Sequence, residues 1–375
     1  MMDTDKLLKK VISSLFDLRR RLAFTRKAAN ILSTVGKNIV IPAEAESAYR
    51  KLWKNLKGGN DTKWLKIYSS VSGIIDIRYV SESVYYNSIE PCLNNKGFSK
   101  AYTDKNIYDK LLHGIEMPRT VLRKIGRQFF SSDYIHLSPD DAFRILINSG
   151  QFISKPSVES GGGRNVRRWK CINGCIISES TELKSADDMT NEFSADCIFQ
   201  EILNQNSFYR SFNNTSVNTV RVLTYRSVEN ERIYVINTVF RVGREGMITD
   251  NQASGGYACG VDNNGVLTGF AVDKKSNRYT EVNNVKIPGG VILPEYSRIC
   301  EKAVLIASEF KYSRLLGLDF CVNSENNPVL IEVNDLNNEI NFYQMNGFPL
   351  LGDFTDEVIS YCIKTPKSFI IDFEI

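Results

Sequence analysis

The stretch Leu315–Asp335, LLGLDFCVNSENNPVLIEVND, reads as two strands around the turn NSENNP. Side chains alternate along a strand. Glu332 and Asn334 are therefore expected on one face, with Ile331 and Val333 on the other. Asp319, on the partner strand, can be brought opposite them by the hairpin. Two carboxylates and a carboxamide on one face are costly if merely buried. They are also the hard oxygen ligands that Mg²⁺ takes, few in number, with phosphate oxygens completing the shell. The plainer alternative is an open sheet face on which all three meet water. Asp335 is left outside the set.

Upstream, Ser154–Trp169 reads SKPSVESGGGRNVRRW. Gly161, Gly162 and Gly163 suit neither a helix nor a strand interior, because glycine loses the most backbone freedom on ordering. A Walker loop would run G-x-x-x-x-G-K-[ST] into a helix, whereas RNVRRWKC reads as a strand. The expectation is a glycine-rich hairpin whose N–H groups can face a polyphosphate. Lys155, at the end of the preceding strand, would add a point charge. A surface turn with an incidental lysine is the alternative. Between the two stretches, SVNTVRVLTYRSVENERIYVINTVFRVG (216–243) puts Arg221 and Arg241 near equivalent positions of successive strands. They are surface arginines or anion clamps.

The 375 residues allow two or three domains. A content of 42% hydrophobic and 24% charged residues points to a soluble globular protein. No apolar run approaches the ~18 residues of a membrane helix, and the compact apolar core of a signal peptide is not seen. Eight cysteines without a framework spacing suggest reduced thiols and a cytoplasmic setting. His113 and His136 are the only histidines, which disfavours a zinc enzyme or a Ser-His-Asp hydrolase. Charge is uneven. Residues 1–60 hold 13 Lys and Arg against 5 Asp and Glu, an excess of 8 in a chain whose net charge is +4. Residues 5–32 carry Leu7, Leu8, Val11, Ile12, Leu15, Phe16 and Leu22 near the helical period with basic residues between them. That helix either packs on its own protein with a solvated basic face or docks on anionic lipid or a membrane-bound partner.

A second helix is expected over AEAESAYRKLWKNL (43–56), others over TDKNIYDKLLHGI (103–115), SPDDAFRILINSG (138–150) and SRICEKAVLIASEF (297–310). Ser138 and Ser297 are the expected caps. CIFQEIL, TVRVLTYR, RIYVINTVFRVG, LLGLDFCVN and NPVLIEVND read as largely antiparallel strands, so the class is α+β.

Taken in order over residues 100–345, Lys105 in DKNIYDKLL, Lys155 before the glycines, the linker FQEIL, the two arginine strands and D…E-x-N resemble an ATP-grasp protein. SVNTVRVLTY (216–225), FRVGREGMITDNQASGGYACGVDNNG (240–265) and IEVND resemble its sugar-transfer-associated group, found with exopolysaccharide and capsule synthesis. The resemblance implies two α+β subdomains clasping ATP behind a helical N-terminal extension. The corresponding spans are 1–75 (basic helices), 76–150 (linking helices and strands), 151–203 (glycine-rich loop) and 204–375 (Mg²⁺ site). It further implies that Glu201 and the backbone through Leu203 hold adenine, and that Lys105, Lys155 and Gly161, Gly162 and Gly163 hold the phosphates. Asp319, Glu332 and Asn334 would hold Mg²⁺, Arg221 and Arg241 would be catalytic, and Asn218, Asp250 and Asn251 would meet substrate. The implied activity is an ADP-forming carboxylate–amine ligase using ATP, Mg²⁺ and an acyl phosphate. Its partners would be a small or sugar-linked carboxylate and an amine, with no nucleic acid. A kinase acting on a sugar hydroxyl and a non-catalytic nucleotide-binding regulator are the alternatives.

Overall fold

The computed structural model describes residues 4–35, 39–158, 163 and 165–365. Two antiparallel sheets organise it. The first takes its strands from one continuous stretch: β1 Thr120–Ile125, β2 Gln128–Phe130, β3 His136–Leu137, β4 Gln151–Pro156, β5 Arg167–Ile172, β6 Cys175–Ile177, β7 Glu182–Leu183 and β8 Cys197–Gln200. Their order is β3-β2-β1-β8-β4-β5-β6-β7. The helices Pro139–Asn148 and Ala186–Glu192 cover it over a core holding Leu146, Phe152, Trp169 and Phe199. The first of these helices starts as its sequence predicts: Ser138 Oγ accepts from Asp141 N at 3.1 Å, Pro139 opens the first turn, and Gly150 follows the end at φ +71°.

The second sheet comprises β9 Thr219–Arg226, β10 Ile233–Val242, β11 Tyr257–Val261, β12 Leu267–Val272 and β13 Arg278–Tyr279. A separate ribbon, β14 Glu281–Val282 with β15 Val285–Lys286, precedes its last strands, β16 Leu315–Val322 and β17 Pro328–Asn334. The order is β13-β12-β11-β10-β9-β16-β17. One face, with Val220, Val222, Phe240 and Leu318, packs on the helix Tyr296–Glu309. That helix does not start at Ser297. Glu295 in the left-handed region (φ +62°) turns the chain into it, and Ser297 Oγ spends its bond on Glu301 at 3.1 Å.

The N-terminal helices α1 Thr4–Val35, α2 Ala43–Trp53 and α3 Lys63–Ser72 cover the other face. Trp53, Trp64 and Tyr68 are buried in one core with Leu223, Tyr225 and Val239. Two specific links tie this region to the helix Asn341–Met345. Tyr68 Oη donates to Asn341 Oδ1 at 2.7 Å, and Gln344 exchanges bonds of 2.6 and 3.0 Å with the backbone of Val80. Closing such buried polar groups on each other avoids a penalty of about 1–3 kcal/mol per orphaned group. The expected helix over 103–115 breaks instead into a 3₁₀ turn, Lys105–Ile107, and one α-turn, Tyr108–Leu111.

Candidate active site

A cleft of about 1130 Å³, its open mouth included, runs between the sheets and takes residues from β4 and β8 on one side and β9, β10, β16 and β17 on the other. Its lining holds the apolar residues Ile153, Val166, Ile202, Leu203, Val217 and Ile248 and a cluster of charged ones. Lys105, Lys155, Gly163, Glu201, Leu203, Arg241, Asp250, Asn251, Asp319 and Glu332 all line this cleft.

Neighbouring strands build the charged cluster. Directly paired residues of antiparallel strands share a face. Arg241 pairs with Thr219, Arg221 with Asp319, and Asp319 with Glu332. The hairpin β16–β17 carries a register shift just past Asp319, so that Phe320 pairs with Leu330. The bulge changes one expectation. Ile331 does not face away from Glu332 but lines the cleft beside it, and its carbonyl accepts from Lys155 Nζ at 3.3 Å. Re-aiming of this kind is what a bulge does.

The arginines and the acids, read from sequence as separate devices, form one buried cluster. Arg221 Nε and Nη2 donate to the two oxygens of Asp319 at 2.6 and 2.5 Å. Arg241 Nη1 adds a bond of 3.1 Å to Asp319, while its Nη2 lies 2.5 Å from Asn251 Oδ1 and 3.2 Å from Asp250 Oδ1. Asp250 also accepts from the backbone N–H of Thr219 at 3.1 Å and from its hydroxyl. Burial alone would raise the Asp319 carboxyl, but the two guanidinium groups hold it below its ordinary value. Glu332 is held low in the same way against burial by Lys105, at 2.8 Å. Asp250 goes the other way: burial outweighs Arg241 and raises it. Lys155 is pushed down to about 7, by burial first and then by Lys105.

A rigid turn carries Lys105. Asp104 caps it, Lys105 N donates to Ser157 O at 2.9 Å, and Arg123 Nη1 donates to Asn106 O at 2.5 Å. Tyr134 Oη lies 2.6 Å from the same carbonyl and 2.5 Å from Asp109 Oδ1, and Arg123 Nη2 reaches Asp109 Oδ2 at 2.5 Å. Neither Arg123 nor Tyr134 was visible as a site residue in the sequence, because they hold the Asn106 carbonyl and the Asp109 carboxylate of this turn and not the cleft itself.

Of the three glycines, Gly163 is the one among the described residues. A Cβ there would lie 2.3 Å from Asn251 Nδ2 and 3.1 Å from two Thr249 atoms, so what approaches it is the protein's own loop. Gly161 and Gly162 lie outside the described residues. In that loop a Cβ on Gly256 would meet Asp250 O at 2.4 Å, which explains the DN…GG spacing as a tight turn presenting Asp250 and Asn251.

Asn218 is a correction. It is fully buried, and its side chain donates to Tyr209 O and Asn213 O at 2.8 Å each and accepts from Gly243 N at 3.3 Å. With both ends spent on backbone, it holds loops together and does not line the cleft. Arg221 stands behind Asp319. Asn334, paired with Gly317, donates its Nδ2 to Gly317 O at 3.4 Å. Glu201 has its carboxylate tied to Arg119, at 3.0 Å from N and 3.3 Å from Nε.

Two antiparallel sheets thus grip a cleft whose lining combines apolar side chains with lysines, arginines and carboxylates. Residues 86–356 match the family described as sugar-transfer associated ATP-grasp, and the chain belongs to that family. No curated protein matches the chain. Among solved structures it is similar to the ATP-grasp ligase PsnB complexed with minimal precursor, at 16% identity and TM-score 0.40 over 72% of this chain. It spans 63% of that ligase's length. The VanG D-Ala:D-Ser ligase from Enterococcus faecalis gives 16%, 0.41, and 72% and 64% of the two chains. The D-alanine–D-alanine ligase from Bacillus anthracis gives 14%, 0.38, and 73% and 70%.

Proposed function

We propose that the protein is an ADP-forming ligase that joins a carboxylate to an amine through an acyl phosphate. The observation that carries this reading is the placement of Arg241, which touches Asp319 on the sheet and Asn251 on the loop in the charged cluster of the cleft. Adenine would lie against Ile202 and Leu203, whose backbone is outside strand pairing, rather than on the Glu201 carboxylate that Arg119 occupies. Lys105 and Lys155 would hold the phosphates. In the lining, Lys105, Lys155, Arg168 and Arg241 are the groups that could meet a polyanion, beside Asp250, Asp319, Glu332 and Glu201.

The donor set fits a Mg²⁺ ion: Asp319 and Glu332 are paired across the hairpin and both are held ionised, with Asn334 two pairs further along on the same face. Bound there, the ion would neutralise phosphate charge as the γ-phosphoryl group moves. The substrate carboxylate oxygen would attack the γ-phosphorus, forming a C–O–P linkage and releasing ADP. Arg241 would steady the charge on the moving group and on the oxyanion formed when the amine adds to the carbonyl. The amine then forms the C–N bond, inorganic phosphate leaves, and the amine gives up a proton. The family description, sugar-transfer associated, suggests a role in polysaccharide biosynthesis, where the product would be an amino acid or amine joined to a uronic acid. The work would be done on the cytoplasmic side, with the basic N-terminus in peripheral contact with a membrane or a membrane-bound partner. Incubation with ATP, Mg²⁺ and a panel of amino acids and uronic-acid sugars should release ADP, and hydroxylamine should trap a hydroxamate. Release of AMP and pyrophosphate would overturn the acyl-phosphate route, and ADP without hydroxamate would favour a kinase.

A further inference from the structure

Six large apolar side chains of α1, Leu8, Val11, Leu15, Phe16, Leu18 and Leu22, are each 43–60% exposed. At about 100° per residue Leu8, Val11, Leu15, Leu18 and Leu22 occupy one arc of roughly 80°, with Arg19 and Arg26 at its edge and Phe16 beyond them. The opposite arc is fastened to the body. Ala28 is fully buried, Phe24 stacks on Tyr86 at 5.2 Å, Lys27 lies 2.5 Å from Glu82, and Asp17 pairs with Lys57. Arg20 sits 5.9 Å from both stacked rings. These contacts fix the rotation of the helix, so the apolar arc cannot turn inward. Arg19 and Arg26 stand exposed along a shallow groove with Leu15, Leu18 and Leu22. The helix has only two acids, Asp5 and Asp17, and Asp17 is spent on Lys57. Among the described residues no helix is long and apolar enough to cross a membrane.

We propose that α1 lies on the anionic surface of a lipid bilayer, its apolar arc at the headgroup–acyl boundary and Arg19 and Arg26 on lipid phosphates. An exposed apolar face bordered by arginines is what an interfacial helix presents. A second copy of the chain fits less well. Leu8, Val11, Leu15, Leu18 and Leu22 do keep the three-four spacing of a coiled-coil seam, but a second α1 on that seam would bring arginines toward arginines, with no acid of the helix left to meet them other than Asp5. The inference narrows the peripheral contact proposed above to one face and one partner, and its test needs no ligase activity.

In flotation of the full chain, vesicles of phosphatidylglycerol and phosphatidylcholine should bind about tenfold or more tightly than phosphatidylcholine alone, and high salt should release the protein. Leu15→Gln with Leu18→Gln should abolish flotation. A Leu18→Trp reporter covers the case in which that double variant misfolds. Trp53, Trp64 and Trp169 are at most 1% exposed, so a vesicle-dependent blue shift would come from the new indole. The docking is overturned if the wild-type chain stays in solution with anionic vesicles, if the reporter emission does not move, or if the folded double variant floats like the wild type. A stable solution dimer that the double variant dissolves would give the face to a second copy instead. Failed flotation with ADP release intact would strike this inference alone; intact flotation without turnover would strike only the ligase.

Discussion

Arg221 and Asp319 stand directly opposite each other on β9 and β16 and are joined by two hydrogen bonds of 2.6 and 2.5 Å. The fork of a guanidinium matches both oxygens of a carboxylate. The pair is buried, so its worth lies less in net stabilisation than in the cost of breaking it. Arg241 reaches the same carboxylate by a single bond and divides the rest of its contacts between Asp250 and Asn251. The two arginines therefore have different duties: Arg221 orients Asp319, and Arg241 couples Asp319 to the loop.

Arg221→Met should accordingly cost up to about 3 kcal/mol of stability, the low end for breaking a buried pair, because Arg241 keeps one bond to Asp319. Arg241→Met leaves Asp319 its bidentate partner. It should cost less stability but lower kcat by about 10²–10³, the loss typical of a donor to developing charge. Urea denaturation beside steady-state ADP release separates the two. An Arg221→Met protein as stable as wild type would show that Arg221 does not hold Asp319 in solution.

Lys155 should leave a signature in pH. Its amine is at about 7 in the folded protein against 10.5 in an unfolded chain. Between those values the unfolded state binds more protons, so stability should rise with pH there, by at most about 1.4 kcal/mol per unit. Lys155→Met should flatten that segment and be the more stable protein at neutral pH. Bound phosphates would favour the ammonium form, so ATP binding near pH 8 should take up protons, measurable by titration calorimetry in buffers of different ionisation heat. A wild-type curve already flat from pH 7 to 10 would mean that Lys155 is charged throughout.

The contact between Gly163 and Asn251 predicts a paired effect. Gly163→Ala places a methyl 2.3 Å from Asn251 Nδ2 and at φ +69°. The hairpin should be displaced from the loop, raising the KM for ATP several-fold on a strain of about 1–2 kcal/mol. Asn251→Ala should relieve the clash, leaving the double variant less impaired in ATP binding than Gly163→Ala alone. Strict additivity of the two changes would mean that hairpin and loop do not meet in solution.

Local signals were legible and distant ones were not. TVRVLTYR is β9 to the residue, and Ser138, Pro139 and Gly150 bound their helix because caps act over a few residues. Ser297 misled because the chain enters its helix through Glu295 in an unusual conformation that no nearby glycine announced. The Arg221–Asp319 pair spans 98 residues and the Arg241–Asp319 pair 78, so only the folded sheet joins them. Ile331 was assigned to the wrong face because alternation assumes a strand without a bulge. Asn218 looked available because a polar residue beside an arginine strand carries no mark of being spent on backbone.

Glu332 tests the metal reading most directly. Its carboxylate serves Lys105, which is nearly buried, at 2.8 Å and also stands beside Asp319 on the paired strand. Glu332→Gln keeps the shape and an oxygen for Lys105 while removing one attraction and one repulsion. The repulsion offsets part of the attraction, so the variant should lose a little stability at pH 7, about 1 kcal/mol. The pH profile should change in a defined direction. The wild-type carboxyl lies below 4.5 when folded, so its contribution is present above that value and is lost as pH falls through the folded pKa. The variant should lack that acid segment. Mg²⁺ is where the loss should fall: with one of two carboxylates gone, half-saturation of ADP release should need about tenfold more metal, and raised Mg²⁺ should restore part of the rate. A variant with wild-type Mg²⁺ dependence but a lower melting temperature would leave Glu332 as the counter-ion of Lys105 and move the metal elsewhere.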